Sequence, residues 1–250
     1  MTSDVEAALT AERAAARAAS QDITKRPDVA CFPADATYDP ACTRCPRLAS
    51  FLGESHAKYP GYWSRPVPSF GPISARIAIV GLAPGMHGAN RSARPFTGDY
   101  AGLLLYQTLY DLGLASQPQS TAYDDRLKLR NVRILNAVKC VPPENKPTPD
   151  EIRECNGFLK AELAALKSAR VYVALGLVAH EAILRALGRK RSELKFGHAA
   201  EHPLGQGSRA GEARYLLDSY HCSRYNTQTR RLTPEMFRAV LARACELAKL

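Results

Sequence analysis

The sequence holds no apolar run near the roughly eighteen residues that a membrane-crossing helix needs, and no apolar segment behind a basic start that would read as a secretion signal. Both absences lead us to expect a soluble, cytosolic protein with no membrane partner. GxGxxG and GK[ST] are missing as well, which sets aside a dinucleotide fingerprint and a Walker loop. There is no internal repeat and no low-complexity stretch. Acidic side chains are the minority: 24 Asp and Glu stand against 34 Lys and Arg, for a net charge of +10. A polyanionic partner therefore suits the chain better than an acidic or neutral one.

The 250 residues, 46% of them hydrophobic, suffice for one α/β domain or two small ones. Residues 2–20, rich in Ala, Glu and Arg, predict a helix within an N-terminal extension spanning 1–26. Residues 27–70 are proline-rich with little periodicity, and read as an extended wrap around a single domain over 27–250. Four apolar runs, at 77–80, 132–138, 170–175 and 215–220, predict strands. Helical patterns over 100–112, 177–187 and 234–250 lie between and after them. A further helix begins at Thr148 as N-cap, with Pro149 first and Glu151 closing a capping box. Residues 190–213 suggest a short hairpin at most. This alternation implies right-handed crossovers and a mostly parallel four-stranded sheet.

The chain is organised around the loop after the first run. Residues 82–99 carry several glycines together with His87, Asn90, Arg91, Arg94, Phe96 and Asp99. In a parallel sheet such a loop lies at the carboxyl edge, where ligands bind. Asn136 and His221 stand at the ends of two other runs, so the three features would converge on one pocket. Each has a plainer reading. The loop could be an ordinary connection, Asp99 a helix cap, Asn136 a partner for strand-end backbone and His221 a surface histidine.

Seven cysteines in a cytosolic protein favour metal or catalysis over disulfides. Cys42 and Cys45 have C-x2-C spacing, and Cys140 and Cys155 flank a turn and helix start, so two pairs could close on one centre. Four thiolates fit zinc or a [4Fe-4S] cluster, and spacing does not choose. Cys31 and Cys245 read as a spare thiol and a small hydrophobe, and Cys222 has no obvious partner.

GLAPGMHGANRSARPFTGD at 81–99, NAVKCVPPENKPTP at 136–149 and HCSRYNTQTRRLT at 221–233 resemble the three motif regions of the uracil-DNA glycosylase superfamily, nearest to its family 5 (type b) branch. The resemblance implies a three-layer α/β/α sandwich, a [4Fe-4S] cluster on Cys42, Cys45, Cys140 and Cys155, and removal of uracil and related deaminated bases from DNA. By motif, Gly81, Leu82, Phe96 and Asn136 would bind the flipped base, with Phe96 stacking and Asn136 reading its edge. His221 would hydrogen-bond the base or leaving group. Sister families carry an acidic or amide residue where this chain has Ala83, so Asp99 of the TGD segment inherits the catalytic load. Cys222 stands where the family more often has proline. Arg91, Arg94, Arg224, Tyr225, Arg230 and Arg231 are the candidates to grip DNA, double- or single-stranded, with the arginines open to a reading as solvated surface charge. A monomer with ordinary turnover is expected. The alternatives are a metal- or cluster-bearing protein that binds nucleic acid without cleaving it, and a nucleotide-binding regulator.

Overall fold

The computed structural model describes residues 27–206 and 213–250. The helix expected over 2–20, and with it the 1–26 extension, lies outside these residues. The first strand, β1 (Ile77–Gly81), is buried along its whole length. It pairs in parallel with β2 (Val132–Asn136) on one side and β3 (Val171–Leu175) on the other, and β3 pairs in parallel with β5 (Ala213–Ser219). The four expected parallel strands are thus present. A fifth, β4 (Glu201–Gln206), runs antiparallel on β5 at the edge, giving the order β2-β1-β3-β5-β4. Its sequence, EHPLGQ, hides it: Pro203 and Gly205 are poor strand formers on its exposed side, only His202 and Leu204 turn inward, and a ladder shift falls between Pro203 and Gly205. Proline is tolerated on a sheet edge because one side needs no donor.

Alternate residues of the apolar strands face opposite layers, so both faces demand cover. On one face Ile77, Ile79, Ile134 and Val173 meet α3 (Tyr100–Asp111) and α7 (Pro234–Ala248). On the other, Ala78, Val80, Leu135 and Tyr172 meet α4 (Pro149–Ala165) and α5 (Leu177–Ala186). The result is the three-layer sandwich. Helix α4 starts at the expected capping box: the Thr148 hydroxyl accepts from the Glu151 amide at 3.2 Å, and the Glu151 carboxylate accepts from the Thr148 amide at 2.7 Å.

The stretch 27–70 is not simply an extended wrap, because α1 (Pro46–Lys58) interrupts it. Pro46 occupies the first helical position, where its missing N–H costs nothing, and no proline follows until Pro60. Residues after α1 strap the glycine-rich loop 82–99 to the body. Trp63 and Ser64 amides donate to the Arg91 and Asn90 carbonyls at 3.2 and 3.1 Å, and the Phe70 amide donates to Ile134 of β2 at 2.9 Å. The loop itself contains a short helix, α2 (Ala89–Ser92).

Candidate active site

Gly81 and Asn136 are register partners at the carboxyl ends of β1 and β2. A Cβ on Gly81 would lie 2.7 Å from the Phe96 ring and 2.8 Å from Asn136 Oδ1, so only glycine lets ring and carboxamide meet there. Phe96 holds a left-handed φ of 56°, which costs a non-glycine residue about 1 kcal/mol or more. Its neighbours hold it in place: the Tyr106 hydroxyl donates to the Pro95 carbonyl at 2.7 Å, and α3 begins against the Phe96 carbonyl at Gly102, where a Cβ would overlap it. Asn136 is 4% exposed, and its Oδ1 has no partner among the described residues. Leaving such an acceptor unpaired costs about 1–3 kcal/mol, so the position has room for a donor from outside the chain. The Gly81 and Leu82 carbonyls are already taken, accepting from the Ala137 and Val138 amides at 2.9 Å each. They form the floor of the site.

Asp99 sits at the N-cap of α3, yet its side chain makes no capping bond. The carboxylate turns back into the loop, where Gly85 and Gly88 make room for it. A Cβ on Gly88 would fall 2.0 Å from Asp99 Cγ. Burial pushes the Asp99 pKa up to about 6, while the Ala89 amide and the Arg91 charge favour the ionised form. His221 follows β5, with its Cβ 3.6 Å from the position of a Cβ on Gly176 at the end of β3. Its ring stacks on Phe96 at 6.1 Å and 26°. Burial lowers its pKa to about 4, so the imidazole is neutral at physiological pH and offers one N–H. Cys222 is fully buried and its thiol donates to the Ala101 carbonyl, which docks the His221 loop onto α3. The three features read at strand ends therefore do meet at one edge.

Of the other polar residues in the loop, His87 is exposed and bonded to the Tyr62 hydroxyl at 3.0 Å, and Asn90 is buried against Ser55 at 2.9 Å. Ala83 faces away, packed on the cluster formed by Leu48, Val138, Cys155 and Phe158. Sequence reasoning missed the cradle formed by Gly85 and Gly88; two glycines three residues apart were its only trace.

Cys42, Cys45, Cys140 and Cys155 line one apolar-walled pocket with Leu48 and Val138. Cys45 is the N-cap of α1, Cys140 follows β2, and Cys155 lies in α4. Burial raises the thiol pKa of Cys45 to about 11, and those of Cys140 and Cys155 also rise. The Lys139 amide donates to Cys155 Sγ at 3.3 Å.

Residues 68–245 match the family described as the uracil DNA glycosylase superfamily. The chain belongs to that family. It is 50% identical to a type-5 uracil-DNA glycosylase of Thermus thermophilus, over 84% of this chain and 95% of that protein. A type-5 uracil-DNA glycosylase of Pyrobaculum aerophilum is 42% identical over 81% of this chain and 87% of its own length. A type-4 uracil-DNA glycosylase of the same organism is 32% identical over 64% of this chain and 72% of its own.

One expected DNA contact of this superfamily member needs correction. Arg94 is 5% exposed: its guanidinium pairs with Asp125, bonds the Tyr123 carbonyl and lies over Phe70 at 4.4 Å. A buried, paired guanidinium cannot reach phosphate, and Arg94 serves the fold. Arg91 is partly buried near Asp99 and Gly98. Arg224, Tyr225, Arg230 and Arg231 are exposed, the first two on the short helix α6 (Arg224–Gln228) capped by Ser223. Arg224 and Arg231 lie over the rings of Tyr100 and Tyr220 at 5.9 and 4.5 Å. Tyr225, 71% exposed, has little to lose in folding and a rigid ring to offer. Tyr225→Ala is expected to weaken excision from duplex more than from single strands, where less unstacking is required. Parallel excision assays on the two substrates check this, and equal losses would reduce the side chain to loop support.

Proposed function

We propose that this protein hydrolyses the N-glycosidic bond of uracil in DNA, initiating base excision repair. The observation that carries the reading is the unpaired, buried Oδ1 of Asn136 beside Phe96, a few residues from a cradled carboxylate. Uracil offers an N–H next to a carbonyl, which suits an acceptor and a donor on one carboxamide; cytosine presents the reverse order, a bare nitrogen next to an amino group, and in this orientation of Asn136 would set acceptor against acceptor and donor against donor. Hypoxanthine and xanthine present the same N–H and carbonyl pair, so other deaminated bases fit by the same logic. The flipped base stacks on Phe96, offsetting part of the cost of leaving the duplex. As the glycosidic bond breaks, its electron pair goes to the base and positive charge grows on the sugar. The Asp99 carboxylate stabilises that charge, orients the water that adds to the sugar carbon and takes the proton this water gives up, while neutral His221 donates a hydrogen bond to the anionic departing base. Arg91, Arg224, Arg230 and Arg231 supply positive charge for phosphates on duplex or single strands, and a monomer suffices. Ala83, turned toward the cysteines, leaves activation of water to Asp99.

The four cysteines fit a [4Fe-4S] cluster. Zinc bound by four thiolates at about 2.3 Å would bring the sulfurs within about 3.8 Å of each other. No three of these sulfurs lie within 4.8 Å of one another among the described residues. A cubane spreads its ligands more widely, because each thiolate binds a different iron. Bound there, it would tie three segments of the fold together. No helix among the described residues is long and apolar enough to cross a membrane.

Incubation with a uracil-containing duplex followed by alkali tests the function. Strand scission at uracil is expected; DNA binding without scission would support a non-catalytic binder instead. Asn136→Asp removes the amide donor and adds charge, and is expected to weaken uracil excision by about 1–3 kcal/mol in transition-state binding. Single-turnover rates check it, and an unchanged rate would assign base reading elsewhere.

A further inference from the structure

We infer that the buried cluster of Asp218, His180 and His202 is a charged clasp that positions His221 against the departing base, a role that rests on the glycosylase reading above. His180, on α5, is 1% exposed. Its Nδ1 lies 2.8 Å from Asp218 Oδ1 and its Nε2 lies 3.0 Å from the Leu194 carbonyl. Both partners are acceptors, so both ring nitrogens must donate, and that requires an imidazolium. A neutral ring would set a lone pair against one acceptor in a place water does not reach. Asp218 is fully buried, and its second oxygen accepts from the Gly197 amide at 3.3 Å and from His202 Nε2 at 3.1 Å.

These bonds close segment 194–200 around the end of β5. The Ala199 amide donates to the Asp218 carbonyl at 2.8 Å, and the Asp218 amide donates to Ala200 at 2.9 Å. The Tyr220 amide donates to His198 Nδ1 at 3.2 Å, and the two rings stack at 5.0 Å. His221 is the next residue. Slack in this collar would shift the imidazole that lies over Phe96, where a displacement of an ångström is costly to catalysis.

The groups facing His180 are Asp218 from β5, His202 from β4 and Glu181 of its own helix, which is paired with Arg191 at 2.6 Å. Burial opposes its charge, but the Asp218 bond and charge, helped by the Leu194 carbonyl, prevail and raise its pKa. The clasp is therefore complete below the ordinary histidine range and loosens as pH rises through the raised value. The same three side chains bring donor atoms within 4.8 Å of one another, as a metal site would. Hydrogen-bond spacings, and an amide already on Asp218 Oδ2, favour protons over an ion.

Long-range proton–nitrogen spectra of the cluster-loaded protein at neutral pH should show both His180 nitrogens protonated. His180→Gln should slow single-turnover uracil excision about tenfold, leave DNA affinity unchanged, and remove the fall in rate expected of the wild type once pH passes the raised His180 value, above the limb set by Asp99. His202→Gln, at a less buried position, should give a milder form of the same result and keeps the test open if His180→Gln does not fold. A singly protonated His180, a variant that melts earlier but excises at the wild-type rate, or one zinc per chain lost in His202→Gln would each overturn the clasp. A doubly protonated His180 in a wild-type protein that does not excise uracil would overturn the glycosylase reading, and with it the positioning role.

Discussion

Asp99→Asn is expected to lower single-turnover uracil excision by about 10²-fold or more while leaving DNA affinity and the cluster spectrum unchanged. Asparagine keeps the shape that Gly85 and Gly88 accommodate, removes the charge and turns one acceptor oxygen into a donor. Because burial raises the pKa of Asp99 to about 6, the wild-type rate should climb as pH rises through that value, and the variant should lack this limb. The linkage also has a sign. A carboxyl whose folded pKa lies above its ordinary 3.8 favours the folded state in its protonated form and costs stability once ionised. Melting of the variant at neutral pH should then be unchanged or higher, which separates a catalytic loss from a folding loss. Excision close to the wild-type rate would leave Asp99 as packing for the glycine cradle and hand the water to His87 or His221.

Cys140→Ser should abolish the cluster and soluble folding together. The four cysteines come from the segment before α1, the turn after β2 and the first half of α4, pieces that the Arg47–Glu151 ion pair and the packing of Leu48, Val138 and Phe158 also join, so a cluster there would add to these contacts. Burial raises the thiol pKa values of Cys45, Cys140 and Cys155, so without metal these three stay protonated and contribute only weak packing. Metal binding at such a site is folding free energy, comparable with the whole margin of about 5–15 kcal/mol that holds a domain together. Protein purified without oxygen should be brown with broad absorbance near 400 nm (roughly, for thiolate-bound clusters) and should carry about four irons per chain. Stoichiometric zinc without iron would refute the cluster. Cys31, exposed and away from the pocket, serves as the control, since Cys31→Ser should alter neither iron nor melting.

The parallel core was legible because burial on both faces leaves an unbroken apolar run, and β1, β2, β3 and β5 each carry one. Caps were legible where a side chain closes its own turn, as Thr148 and Glu151 do. The edge strand β4 was not, because its backbone ladder with β5 holds it and only His202 and Leu204 face inward, too few to read as an apolar alternation. Helix α1 was obscured by the prolines on either side of a proline-free stretch. Arg94 looked like Arg91 in sequence, and only the position of Asp125 and Phe70 made one of them a core residue.

For the site, sequence alone determined which chemistry was available: a carboxylate and an aromatic ring in a glycine-rich loop, a carboxamide at a strand end, a histidine after another, and two pairs of thiols. Those are properties of residue type and local spacing. Only the tertiary structure decided that Gly81 admits Phe96 beside Asn136, that Gly88 leaves the space Asp99 fills, that Ala83 faces the cysteines, and that a buried Asp218 gathers two histidines behind His221. Close approach and desolvation depend on which distant segments meet, and no local pattern records that.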